Sequence, residues 1–146
     1  MIKRKFNPHL YDRYDSVGKD ALCNYLLTQG HEILDVKETY NADVVSEKLG
    51  LTYFNEAEVK ISWKKEWPSD WSEVRLPERK KRLVKMYKEQ EGVLNFYIFR
   101  ADLKQVWRIK DTLLTDECLR EAKGRFIPKG EKFFHINTKD AELITL

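Results

Sequence analysis

The stretch Thr52-Tyr53-Phe54-Asn55-Glu56-Ala57-Glu58-Val59-Lys60-Ile61-Ser62 decides how this chain is read. Its residues alternate with a period of two, which is the signature of a β-strand. Tyr53, Asn55, Ala57, Val59 and Ile61 fall on one face, and Phe54, Glu56, Glu58 and Lys60 on the other. Leu49-Gly50 just ahead reads as a tight turn, so Asn41–Glu47, with Val44 and Val45, is expected to pair back on this strand. His31–Lys37, with Ile33, Leu34 and Val36, supplies a third strand. The three make an antiparallel meander.

Upstream of the meander, Val17, Ala21, Leu22, Tyr25 and Leu26 recur at helical spacing. Asp15 or Ser16 is the expected N-cap and Gly30 the stop, which gives a helix over Ser16–Gln29. Residues 1–14 form a basic arm. Its Lys3, Arg4, Lys5 and Arg13 face only Asp12.

Downstream, Trp63–Trp71 reads as a loop holding Pro68. Pro77 suits the first turn of a helix carrying Leu83, Val84 and Tyr87, with Gly92 as its C-cap. Val93–Phe99 is apolar enough for a buried central strand. Gln105–Ile109 is a short strand, Thr115–Lys123 a short helix, and Phe126-Ile127 and Phe133–Ile136 are closing strands. The expected order is α-β-β-β-α-β-β-α-β in one α/β domain over residues 1–146, a mixed β-sheet flanked by helices.

The chemistry is expected around Asp43 and Glu58-Val59-Lys60. Residues i and i+2 of a strand share a face, so Glu58 and Lys60 project together while Val59 enters the core. Pairing across Leu49-Gly50 can bring Asp43 beside Glu58. Two neighbouring carboxylates raise each other's pKa unless a cation joins them. Mg²⁺, with Mn²⁺ as a substitute, is the hard ion such oxygens suit. An ammonium on the same face can orient a water or stabilise an oxyanion, so the set can serve metal-assisted phosphodiester hydrolysis. Glu56 shares the face and is read chiefly as an exposed strand residue, with a further ligand as the alternative.

A helix, a meander bearing Asp and Glu-x-Lys, then a helix and a strand resembles the PD-(D/E)XK nuclease superfamily. That superfamily includes restriction endonucleases, Holliday-junction resolvases and phage nucleases. The resemblance runs over Ser16–Phe99. It implies a restriction-endonuclease-like core and a metal-dependent DNA endonuclease, phage-encoded and selective for junctions or other DNA structures. Asp43 and Glu58 would hold the metal, and Lys60 would be the third catalytic residue. Ala42 stands where the name-giving proline is often found. The fourth acid, which resolvases carry on the first helix, falls to Asp20, with Asp15 next. Cutting both strands at once would call for a homodimer, with the apolar segment Phe126–Ile136 as a candidate contact. The alternatives are an inactive nucleic-acid-binding module, a subunit of a larger DNA-processing complex, and a protein-interaction or inhibitor protein.

Charge places the DNA. The chain carries 27 Lys and Arg against 24 Asp and Glu, a net +3, which is too near neutral to attract a polyanion by its overall field. Between Lys60 and Gln90, however, ten basic residues face five acids. Lys64, Lys65, Arg75, Arg79, Lys80 and Arg82 are therefore the expected phosphate contacts. Arg79 or Lys80 would also reach the active site, as a basic residue of this helix does in several superfamily members. Trp63, Trp67 and Trp71 are read chiefly as packing, with stacking on unpaired bases as their functional alternative. Cys23 and Cys118 have no zinc or disulfide spacing, and His9, His31 and His135 have no metal spacing. No apolar run approaches the ~20 residues of a membrane span, and the N-terminus lacks signal-peptide features. A cytoplasmic protein is expected. With 6 glycines and no Gly-rich phosphate loop or nucleophile elbow, nucleotide-driven and α/β-hydrolase chemistry are disfavoured.

Overall fold

A computed structural model describes residues 8–36, 43–60, 63–67, 72–88, 92–121 and 130–146, with side chains described from Ser16 onward. The meander forms as its alternation demands. Strands β1 (Glu32–Val36), β2 (Val44–Lys48) and β3 (Leu51–Lys60) run antiparallel, with Val44 opposite Asn55 and Lys48 opposite Leu51. The two-residue turn between β2 and β3 has positive φ at Leu49 and Gly50, 52° and 80°. Both central residues left-handed is the hairpin geometry whose twist matches the strands.

Helix α1 spans Pro8–Thr28. It begins eight residues before the expected start, so the second half of the supposed arm is helical and Asp15 and Ser16 lie inside the helix. No Gly or Pro breaks the chain between Pro8 and Ser16, and a proline suits a first turn. Residues 1–7 lie outside the described residues. Gly30, at φ 85°, ends the helix as expected, and the His31 N–H donates to Leu26 O at 3.0 Å.

After β3 the chain departs from the expected order. Glu73–Pro77 is a strand, β4, with Val74 and Leu76 buried. Pro77 closes that strand rather than opening a helix. A single 3-10 turn over Glu78–Lys80 follows, and then helix α2, Lys81–Tyr87. Gly92 lies beyond α2, pressed on β3: a Cβ there would sit 2.7 Å from Thr52 O. Strand β5 (Val93–Arg100) runs parallel to β3, and β6 (Gln105–Lys110) antiparallel to β5. Of the helix expected over 115–123, the described residues 115–121 form no α-helix. Instead Asp116–Cys118 make one 3-10 turn, and Leu119–Glu121 form strand β7. Strand β8 is Lys132–Asn137 and β9, unforeseen, is Glu142–Thr145. Phe126-Ile127 lies outside the described residues.

The strands form a mixed six-stranded sheet, β1-β2-β3-β5-β6-β9, and a small sheet, β4-β8-β7. The α/β class and mixed sheet are therefore present, with fewer helices and more strands than expected. Strand β5 is the pivot of the packing. Its Tyr97 and Phe99 face α1 and join Leu22, Leu26, Val44 and Val106. Its Leu94, Phe96 and Ile98 face the other way and join Val74, Leu76, Leu83, Phe134 and Ile136. A strand buried on both faces reads as a near-continuous apolar run, which Val93–Phe99 shows with Asn95 as its polar exception. Phe134 and Ile136, expected on a dimer contact, lie inside this second core. No described helix is long and apolar enough to cross a membrane.

Candidate functional site

The β2–β3 register sets Asp43, one residue ahead of Val44, against Glu56, one beyond Asn55. At this point the Asp43 side chain continues the ladder itself. The Ala57 N–H donates to Asp43 Oδ2 at 2.8 Å, and the Asp43 N–H donates to Glu56 Oε2 at 3.3 Å. Asp43 is buried. Burial first, then the neighbouring Glu56 charge, pushes its carboxyl up to about 7, against the pull of the Ala57 hydrogen bond and Lys19.

Each acid of the strand face carries a lysine. Lys19 reaches over from α1, with Nζ 3.6 Å from Asp43 Oδ1. Lys80, from the turn before α2, bonds Glu56 Oε1 at 2.8 Å. Lys60 bonds Glu58 Oε1 at 3.0 Å, one strand repeat along. Burial opposes the charge on Glu58, but Lys60, Lys80 and Arg79 outweigh it, and the carboxyl is held below its ordinary value. Glu58 Oε2 is buried without a hydrogen-bond partner. A buried acceptor in that state asks for a donor or a cation.

Among the described residues no three His, Cys, Asp or Glu side chains close on a common point. The donor chemistry nonetheless suits a hard divalent ion. Asp43, Glu56 and Glu58 offer carboxylate oxygens only, one of them unpartnered.

Other expected residues fall as follows. Asp20 is exposed and lines a groove between α1 and β9, with Glu142 and Leu143. It is Lys19, the preceding residue, that faces Asp43. Asp15 is among the residues whose side chains are not described. Lys64, Lys65, Arg79 and Arg82 are exposed, as expected of phosphate contacts, and Arg75 is exposed on β4 near Glu73. Lys80, one of the two basic residues expected to reach the site, turns inward to Glu56. Trp67 packs on the second core and donates to Gln105 Oε1 at 3.0 Å, flanked by Trp63 and Trp107. Trp71 lies outside the described residues. Glu56, read chiefly as an exposed strand residue with a ligand role as the alternative, instead has its side chain largely buried between Asp43 and Lys80. Lys19 had no local signal, because only the packing of α1 brings it to Asp43. The chain matches no protein-family model and no curated protein.

Proposed function

We propose that this chain is a metal-dependent DNA endonuclease of the PD-(D/E)XK type. The observation that carries the reading is the bonding of Asp43 to Glu56 and Ala57 on β3, the strand that also bears Lys60 and a Glu58 oxygen without a partner. The order α1, β1–β3, α2, β5 supports it, with β4 inserted ahead of α2.

Asp43 and Glu58 would hold Mg²⁺, with Glu56 as a third oxygen donor. When bound, the ion supplies Lewis acidity for attack of water on a phosphodiester. Lys60 keeps its ammonium beside Glu58, where it orients the attacking water and stabilises charge developing on the phosphoryl oxygens. Asp43 must be ionised to serve as a ligand, so cation binding and loss of its proton are linked. The exposed Lys64, Lys65, Arg79 and Arg82 neutralise backbone phosphates next to the site. The P–O bond to the leaving oxygen breaks as the bond to water forms, and the leaving oxygen takes up a proton.

The test is a cleavage panel over duplex, single-stranded, flap and four-way DNA, with Mg²⁺, Mn²⁺ or EDTA. Cleavage should need the metal and disappear in Asp43→Ala, Glu58→Ala and Lys60→Ala, each still folded. Undiminished cleavage by Glu58→Ala would overturn the assignment.

One observation favours a second reading, an inactive nucleic-acid-binding module: all three acids are already matched by lysines. Calorimetry with Mn²⁺ separates the two. A nuclease binds the ion and loses it in Asp43→Asn, whereas a module binds DNA with steep salt dependence and takes up no ion.

A further inference from the structure

The other face of the six-stranded sheet carries a second polar site, apart from the acidic one. Helix α1 stops at Gly30 before it has covered this face. Beyond its end lies a cavity of about 420 Å³, within the range of about 300–1,000 Å³ usual for small-molecule sites. Tyr25, His31, Lys48, Tyr53, Asn95 and Arg108 line it.

Three features mark it as built. The first is the burial of amides at the centre of a sheet. Asn55 and Asn95 sit opposite one another on β3 and β5, 0% and 5% exposed. Asn55 uses its NH₂ on Val44 O and Ser46 Oγ, yet the Oδ1 atoms of both asparagines have no partner. Apolar strand residues would fill this space at no such penalty. The second is charge. Among the described residues Lys48 and Arg108 line the cavity and no carboxylate does, although Arg108 also pairs with Glu142. The third is flat aromatic surface. His31 meets Tyr53 edge-on at 4.6 Å, and Tyr25 lies tilted to Tyr97 at 6.1 Å. Burial and the two nearby cations lower the His31 pKa, so its ring stays neutral.

Two cations, aromatic walls and an amide floor with unmet hydrogen bonds suit one ligand class. We propose that this cavity binds a nucleoside monophosphate unit, with its phosphate on Lys48 and Arg108, its base against Tyr53 and its base edge on Asn95. The unit is either a free nucleotide or the end of a single strand. The site is independent of the nuclease reading, since it shares no residue with the Asp43–Glu58 cluster.

The test is NMR titration of ¹⁵N-labelled protein with AMP, CMP, dTMP, adenosine and inorganic phosphate. Saturable shifts are expected at His31, Lys48, Tyr53, Asn95 and Arg108. Adenosine and phosphate should each bind about tenfold or more weakly than AMP. Lys48→Ala and Tyr53→Leu, checked for folding by circular dichroism, should each weaken AMP by about tenfold. Asn95→Asp should also weaken it, by replacing the amide that meets the base edge with a carboxylate that adds negative charge to the cavity. A 5′-phosphorylated trinucleotide that displaces AMP assigns the site to strand ends, and one that does not assigns it to free nucleotide. Absence of saturable shifts with every nucleotide overturns the proposal. So does phosphate binding as well as AMP, or AMP binding that is unchanged in both folded variants.

Discussion

Asp43 and Glu58, the two acids proposed to hold the metal, titrate in opposite directions. Glu58 is kept ionised by Lys60, Lys80 and Arg79, whereas Asp43, buried beside Glu56, is pushed up to about 7. A folded-state pKa raised above the unfolded value stabilises the fold at low pH, and that contribution is lost as pH rises toward the folded value. In metal-free protein, urea unfolding midpoints should therefore fall between about pH 5 and about pH 8 more in wild type than in Asp43→Asn. Equal pH slopes in the two proteins would refute the raised pKa. Mg²⁺ bound by this carboxylate should flatten the wild-type slope. Leu49 offers a second test at this scale. It holds a φ of 52° and is 96% exposed, so it has left-handed strain and no packing in return. Leu49→Asn should stabilise the fold by about 1 kcal/mol, read from chemical denaturation. The shared face of Glu58 and Lys60 was legible because alternation along β3 fixes it, whereas Asp43 stands just ahead of β2 and meets Glu56. Lys19 was not legible, because nothing within α1 distinguishes it from any solvated lysine.

At the scale of elements, the contact of α1 with β3 fixes where Lys19 falls. Gly18 makes that contact possible, since a Cβ there would lie 2.8 Å from Val59 Cγ2. Gly18→Ala should destabilise by about 1–3 kcal/mol in urea denaturation, and Val59→Ala in the same chain should recover part of the loss. A Gly18→Ala protein as stable as wild type would show that α1 can shift on the sheet. The strands that escaped the sequence reading share one property. β4, β7 and β9 are 5, 3 and 4 residues long, and each pairs with a strand remote in sequence or across a loop. Short strands have little periodicity of their own, and the partner supplies what stabilises them. The turn at Asp116–Cys118 illustrates this: its capping pattern suits a helix, but pairing of Leu119 with Phe134 takes the chain into the small sheet. β3 and β5 were legible because one alternates over 10 residues and the other is apolar over nearly all of 8.

Across the whole molecule, two cores meet at β5, and Phe99 is wholly buried in the one beneath α1. Phe99→Ala should lower stability by about 3–5 kcal/mol and loosen α1 together with Lys19, which can be followed by hydrogen exchange. The net charge of +3 is too small to steer DNA from a distance, so affinity should come from local phosphate contacts and fall steeply with salt. Removing Lys64 or Arg79 should reduce the slope of log affinity against log salt by about one each, while removing Lys80, which is turned inward on Glu56, should change that slope little. By itself, the sequence determined the meander, the buried central strand, the end of α1 and the shared face of Glu58 and Lys60. These depend on periodicity and turn residues within a dozen positions. It took the folded chain to bring Glu56 and Lys19 to Asp43, to turn Lys80 rather than Arg79 onto Glu56, to build a second sheet from β4, β8 and β7, and to set asparagines on β3 and β5 opposite each other beneath an open cavity. Those outcomes come from contacts between residues far apart in the chain, where burial and pairing outweigh any local preference.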